Sequence, residues 1–128
     1  MSFQSDFYTW LSAQSGVTAI VSTRIYPLRL PQEVTYPALR FERDGEYDIE
    51  DFGGQGGMQT TDIQIDALAD THAEALGLAA AVRSALLNFK GAMGSTIIGY
   101  TRLAATFDAW DESLNVYRVS HAWTFSHN

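Results

Sequence analysis

Cysteine is absent from this 128-residue sequence, and the chain has no long apolar run. Without thiols the protein has no disulfide, no thiolate nucleophile and no cysteine-ligated zinc site, which fits folding in a reducing cytoplasm. The apolar stretch at 75–82 is far shorter than the roughly 20 residues that a membrane-spanning helix needs. The first six residues carry no cationic segment, so we expect neither a signal peptide nor a membrane partner.

Positive charge is also scarce. Eight Lys and Arg stand against 15 Asp and Glu, which gives a net charge of −7 at pH 7, and Lys90 is the only lysine. The basic residues form no stripe that could follow a phosphate backbone, so direct nucleic-acid binding is disfavoured. Hydrophobic residues make up 46% and aromatic residues 12% of the chain. This composition predicts a single folded domain that spans residues 1–128.

Motifs of catalysis and of nucleotide binding are missing as well. The sequence contains no G-x-S-x-G, no H-E-x-x-H and no G-x-x-x-x-G-K-[ST]. The glycine cluster at 53–57 departs from G-x-G-x-x-G because Gln59 stands in place of the third glycine, and a predicted strand rather than a helix follows it. We therefore expect no cofactor and no catalytic residue, and we interpret the chain as a non-enzyme.

One acidic spacing imitates a calcium loop. Asp44, Glu46 and Asp48 match its first three ligand positions, but Ile49 and Gln55 occupy the positions that need Gly and Glu. The sequence therefore predicts no metal site, and weak cation binding is kept only as an alternative.

The three histidines are far apart, at positions 72, 121 and 127. His121 falls on the apolar face of the last predicted strand, where a core histidine with one hydrogen bond is the ordinary case. A hydrolase that uses His121 as a base, together with an acid brought near it by the fold, is the alternative. No Ser or Asp lies at a sequence spacing that completes a triad.

Hydrophobic periodicity predicts two helical regions. An aromatic stripe repeats at i, i+4, i+7 and i+8 and predicts an N-terminal helix, with Gly16 as its stop and a short helical turn at 17–21. A longer helix is predicted from Thr71 to Phe89, because Thr71 and Glu74 have the spacing of a capping box. Gly91 is expected to end that helix in the left-handed conformation. The stripe consists of Phe3, Phe7, Trp10 and Leu11, and the buried seam of the long helix consists of Ala75, Ala79, Val82, Leu86 and Phe89.

Alternating patterns predict about four strands. The three prolines between residues 24 and 37 predict an edge strand or an extended arm. The predicted strands are 36–43, 58–69, 97–107 and 114–125, with 108–113 as the connection between the last two. The order of elements predicts a single α+β domain. In this domain an antiparallel-dominated sheet of about four strands carries the N-terminal helix and one long helix on one face.

Residues 42–57 combine dense negative charge with a glycine cluster, and we interpret them as a mobile, exposed loop. If the acidic part is extended, residues 44, 46, 48 and 50 fall on one side, where like charges are tolerated only in water or against a cationic partner. A solvated face, an electrostatic contact surface and weak cation binding all remain open. The candidate interaction or channel loop consists of Asp44, Glu46, Asp48, Glu50, Asp51, Gly53, Gly54, Gly56 and Gly57.

Several landmarks follow one another along nearly the whole chain, from about Phe3 to Phe125. They are Arg24-Ile25-Tyr26-Pro27 and Pro31, Tyr36-Pro37-Ala38-Leu39-Arg40-Phe41, the acidic and glycine-rich segment, Ile63-Gln64-Ile65-Asp66 leading into helix 73–87, and residues 111–120. Their order and spacing in a chain of this size resemble those of the tail-completion proteins of long-tailed bacteriophages and prophages. These proteins are also called tail terminators or tail-to-head joining proteins.

The resemblance implies a structural role without catalysis or cofactor. Such proteins form a ring, usually hexameric, at the head-proximal end of the tail tube. The expected partners are further copies of the chain, the tail-tube protein and a head–tail connector protein, while DNA passes through the central channel without specific binding. Assembly in the bacterial host cytoplasm and a final place in the virion tail or neck follow from this role. A small acidic cation- or ligand-binding module is the alternative.

Overall fold

The computed structural model describes residues 2–51 and 54–128. Within these residues the chain forms three helices and six strands, and no helix is long and apolar enough to cross a membrane. The helices are α1 (Phe3–Leu11), α2 (Ser15–Val21) and α3 (His72–Leu86). The strands are β1 (Ile25–Pro27), β2 (Ala38–Asp51), β3 (Gly54–Ala69), β4 (Gly91–Met93), β5 (Thr96–Asp111) and β6 (Val116–His127).

All six strands belong to one sheet with the order β1-β2-β3-β6-β5-β4. Each neighbouring pair is antiparallel except β1 and β2, which are parallel. The predicted α+β class with an antiparallel-dominated sheet is confirmed, and the expected count of about four strands is wrong. The two strands beyond those four have three residues each and lie at the two ends of the sheet. β1 is the edge strand that the prolines between residues 24 and 37 predict, while β4 has no counterpart in the prediction. Strands this short are below the four to eight residues over which alternation can be recognised.

The helices pack against one face of the sheet, where β3 and β6 supply its centre. Val82 and Leu86 of α3 are buried with Trp123 of β6, as the predicted seam requires. The seam also contains Leu78, which the sequence analysis did not include. Full burial of a side chain of this size contributes about 1.5–3 kcal/mol, so this layer is the main source of stability for the fold.

The N-terminal helix is confirmed, but it ends before Gly16, the residue at which its end is predicted. Leu11 is the last residue of α1, and Gly16 lies in the first turn of α2 rather than after α1. The chain turns between the two helices at residues 12–14 through backbone hydrogen bonds to Tyr8, Trp10 and Leu11. The predicted helical turn at 17–21 is confirmed as part of α2.

The long helix begins as predicted and ends earlier. The Thr71 side chain accepts a hydrogen bond from the backbone N–H of Glu74, which is one half of the capping box. The last helical residue is Leu86 rather than Phe89, and the left-handed residue that follows is Asn88 (φ 63°). Gly91 has a positive φ (126°), but it lies in β4 and not at the helix end. Asparagine tolerates this conformation better than most residues do, so it can replace glycine at a helix end.

The predicted loop at 42–57 is wrong at the level of secondary structure. The backbone of residues 42–51 continues β2, and residues 54–57 already belong to β3. The two strands form one long antiparallel hairpin. We call its outer part the acidic arm, which begins after Arg43 on β2 and ends before Thr61 on β3. Backbone pairing with an adjacent strand is strong enough to override the low strand propensity of Asp, Glu and Gly.

The connection between the last two strands is also shorter than predicted. Residues 108–111 are paired in β5, and the turn is formed by residues 112–115. Asn115 takes the left-handed conformation in this turn (φ 61°), and Asp111 Oδ1 accepts hydrogen bonds from Ser113 and from the backbone of Leu114. Such an Asx-type turn needs fewer residues than the predicted connection.

Candidate interaction surfaces

The acidic arm brings most of the predicted loop residues into register across one hairpin. Glu46 lies opposite Thr61 in the β2–β3 ladder. Farther out, Asp48 lies opposite Gln59, Glu50 opposite Gln55 and Asp51 opposite Gly54. Gly56 and Gly57 are in β3 at the point where the register shifts between Ile49 and Glu50. Phe52 and Gly53 lie outside the described residues.

A β-bulge at Asp44 separates the acids that simple alternation would place on one side. The register shifts between Arg43 and Gly45, so the strand changes phase at this point. Burial raises the pKa of Asp44, and the negative charges of Asp62 and Asp66 raise it further. Glu46, in contrast, accepts a hydrogen bond from the Thr61 hydroxyl at 3.0 Å. Asp44 and Glu46 therefore have different surroundings.

The base of the acidic arm is joined to the last strand and to the first helix through His127. This ring is buried, stacks on Phe3 with 4.4 Å between centroids, and has Nε2 at 2.7 Å from Thr61 Oγ1. Its Nε2 is also 4.0 Å from a carboxylate oxygen of Glu46. Sequence analysis did not single out His127, although it continues the alternating buried series that includes Trp123 and Phe125.

On the sheet face away from the helices, Asp66 is the centre of a buried ionic cluster. Its carboxylate accepts hydrogen bonds from Arg40 at 2.8 and 3.1 Å, from Gln64 at 2.9 Å and from Ser120 at 2.6 Å. Arg118 lies 4.0 Å away. Asp66 is 1% exposed, and burial of a carboxylate is costly unless it is paired and hydrogen-bonded. Its partners connect β2, β3 and β6. The cluster is a structural device that fixes the register of three strands.

A second buried carboxylate, that of Asp6, connects α1 to the end of the sheet formed by β4 and β5. Asp6 accepts hydrogen bonds from Thr96 at 2.6 Å and from Ser95 at 3.1 Å. The hydrogen bond from Thr96 is the main reason why the pKa of Asp6 is lowered. Gly94 lies directly against this carboxylate, and it has a left-handed backbone (φ 59°).

His121 is a core residue in this fold. The side chain is 5% exposed, and its ring centroid lies 6.0 Å from that of Trp123. Burial lowers the pKa of His121, and the positive charge of Arg83 lowers it further. Across residues 2–51 and 54–128, no hydrogen bond joins His121 to a hydroxyl or a carboxylate, so these residues do not assemble a triad around it. The described side chains also contain no group of three potential metal ligands.

Exposed apolar side chains concentrate on β5 and its neighbour β6. Among the residues whose side chains the structure describes, half of the ten exposed large hydrophobic ones lie there, and they are Ile97, Tyr100, Phe107, Trp110 and Tyr117. Trp110 and Tyr117 meet edge to face at 4.9 Å, and the ring of His72 lies 5.8 Å from Tyr117. His72 also forms an ion pair with Asp108 at 2.8 Å when it is protonated. His72, Asp108, Trp110 and Tyr117, together with Ala109, line a shallow concavity of about 340 Å³.

A further apolar concavity of about 340 Å³ lies between α1 and the end of β1. Tyr8, Leu28 and Phe41 supply its apolar walls. Leu28 is 62% exposed and has a left-handed backbone (φ 64°), an unfavourable combination for a leucine. The sequence offers no signal for this position beyond its place between two prolines.

Comparisons with known proteins give one family match and a solved structure of the same fold. A family model described as "Tail completion protein gp17" matches residues 5–119. Among solved structures, a chain of the virion of a native gene transfer agent particle has the same fold, with a TM-score of 0.83 and 20% sequence identity. The alignment covers 98% of this chain and 94% of that one. A search of the curated proteins finds no match.

Proposed function

The chain belongs to the tail completion protein gp17 family, a family of structural phage tail proteins, and from this we propose that it caps the tail tube and joins tail to head as a ring. The family match over most of the chain is the observation that carries the proposal. The role is structural and includes no catalytic step. We propose a hexameric ring that contacts the tail-tube protein on one side and a head–tail connector protein on the other.

Within this ring we propose that the acidic arm lines or rims the channel. Each subunit has a net charge of −7, so the assembled ring is strongly anionic. DNA phosphates bind to cationic surfaces because neutralisation releases counterions, and an acidic wall removes that driving force. The arm therefore lets DNA pass without binding it. Assembly takes place in the host cytoplasm, and the finished ring is part of the tail or neck.

Removal of the gene from its phage or prophage tests the capping role. Without a cap, we expect tails of uncontrolled length and heads that are not joined to tails, as seen by electron microscopy of the lysate. The wild-type chain supplied in trans should restore uniform, joined tails. Tails of normal length with heads attached in the absence of the chain would contradict the proposed function.

A charge reversal of the arm tests the channel role separately. Asp44, Asp48 and Glu50 are replaced together by Lys, and Glu46 is left intact because it binds Thr61 at the base of the arm. Capping should survive, while joined particles should deliver DNA poorly.

The matched control reverses three exposed acids outside the arm, Glu33, Asp70 and Glu112. Both variants change the net charge equally. A defect in DNA delivery found in both would therefore show that the total charge of the ring, and not the charge of the arm, causes it. Loss of capping in the arm variant alone would place these three acidic side chains in a protein–protein contact rather than in the channel.

A further inference from the structure

The sheet has two long edges that its three-residue end strands leave free. β1 pairs with β2 only at residues 39–41, and β4 pairs with β5 only at residues 96–98. Over the part of the chain that the structure describes, no strand pairs with the outer side of β2 from Glu42 to Asp51 or of β5 from Gly99 to Asp111. Each free edge presents a row of backbone N–H and C=O groups that can pair with another strand.

The β5 edge lacks several of the usual protections against such pairing. Its free part contains neither proline nor lysine, and α3 packs on β3 and β6 rather than along β5. Two irregularities occur near Gly99 and Ala104, but from Ala105 to Asp111 the strand is paired with β6 in regular register. This regular stretch carries the exposed rings of Phe107 and Trp110. Aromatic side chains of this kind supply much of the binding energy at protein interfaces.

We infer that the β5 edge of one copy pairs, antiparallel, with the β2 edge of a second copy of this chain, so that the sheet continues from subunit to subunit. The inference rests on the proposed ring and specifies the contact that builds it. The strands β2, β3, β6 and β5 are successively antiparallel, so the two free edges run in opposite directions. Rotation about a ring axis preserves the component of each strand along that axis, so strands that run along the axis keep their direction and β5 meets the next β2 antiparallel.

Pairing of like edges does not build this assembly. Two β2 edges side by side would bring the acids of residues 42–51 together, and like charges opposite each other destabilise a sheet. Two β5 edges would form a twofold contact, which closes at a dimer and leaves the ring unbuilt. The free part of β5 carries only Arg102, Asp108 and Asp111 as charged residues, so it does not repeat the charge density of β2.

A photocrosslinking experiment on assembled particles tests the pairing. Phe107 is 43% exposed, so its replacement by the photoreactive analogue p-benzoylphenylalanine should leave the fold intact. After irradiation of purified particles, we expect a crosslinked dimer of this chain in which residue 107 is joined to the peptide that contains residues 42–51. Tyr100, which is 46% exposed, is the second probe position if the first variant does not fold. The same analogue at Leu76, which is 44% exposed on α3, is the control and should not crosslink to that peptide.

Each result decides the inference. A crosslink to β5 of another copy, to a different protein, or no intermolecular crosslink would overturn the edge pairing while leaving the proposed function in place. Absence of the unmodified chain from particles would overturn the proposed function itself.

A charge block of the edge gives a second readout. Ala105→Lys with Phe107→Lys should abolish incorporation into particles, while Leu76→Lys with Ala80→Lys on α3 introduces the same charge at matched exposure and should be incorporated normally. The isolated variants should unfold at the same temperature as the wild type, which shows that the subunit itself is intact. Normal incorporation of the β5 variant would contradict the pairing.

Discussion

Gly94→Ala gives the most direct test of how the first helix is attached to the sheet. A Cβ at this position would lie 2.6 Å from Oδ1 of Asp6, far inside van der Waals contact. The left-handed backbone of Gly94 adds a cost of about 1 kcal/mol for any L side chain. Overpacking against a buried group typically costs about 1–3 kcal/mol more. We therefore expect the free energy of unfolding to fall by roughly 2–4 kcal/mol.

The measurement is urea or thermal unfolding followed by circular dichroism. For a chain of this size, each kcal/mol lowers Tm by about 3–5 °C, so the expected shift is about 6–20 °C. Gly16→Ala is the matched control, because nothing lies within 4 Å of its added Cβ and it is in α2. There alanine should be neutral or stabilise the protein by up to about 1 kcal/mol.

A double variant separates the two causes of the effect. With Asp6→Ala in the background, the clash at Gly94 is removed and only the backbone cost of about 1 kcal/mol should remain. An unchanged Tm for Gly94→Ala, or a full effect in the Asp6→Ala background, would refute the proposed contact between the turn and the helix.

The remaining predictions concern the core, pH and metal binding. Leu86→Ala should lower the free energy of unfolding by about 2–5 kcal/mol, whereas Ser84→Ala on the exposed side of α3 should change it by less than about 0.5 kcal/mol; equal effects would contradict the helix orientation. The pKa of His121 is lowered on folding, so the unfolded state binds more protons and stability should decrease as pH falls below the ordinary value of 6.5. Unfolding at pH 7.5 and 5.5 should show a larger loss for the wild type than for His121→Leu, and identical losses would contradict this assignment. Chelator or millimolar calcium should leave Tm unchanged. A ligand at about 100 times its Kd adds about 2.7 kcal/mol, so a shift of that size would favour the cation-binding alternative.

Sequence patterns were sufficient for elements that carry their own periodicity or caps. The alternation of Ile63 and Ile65 with polar neighbours predicted the central strand, and the Thr71–Glu74 spacing predicted the start of α3. These features depend on residues within one turn or a few positions of each other, so local chemistry determines them. The resemblance to tail-completion proteins rested on the order of such local landmarks.

Tertiary structure decided the features that need a partner distant in the chain. The acidic arm is a hairpin because β2 and β3 pair along their length, although its composition favours a loop. The bulge at Asp44, which gives the neighbouring acids different surroundings, leaves no signature in the spacing of acids. The ion pair between Arg40 and Asp66 spans 26 positions in sequence, and neither residue by itself indicates the other.

The candidate surfaces divide in the same way. The sequence by itself determined the negative charge of residues 42–51, the absence of catalytic motifs and the strand character of much of β5. Only the tertiary structure decided that β1 and β4 are too short to cover β2 and β5, and hence that two edges of opposite direction remain free. The physical reason is that an edge is defined by hydrogen bonds that a neighbouring strand does not make. This property belongs to the arrangement of all six strands and to no residue in particular.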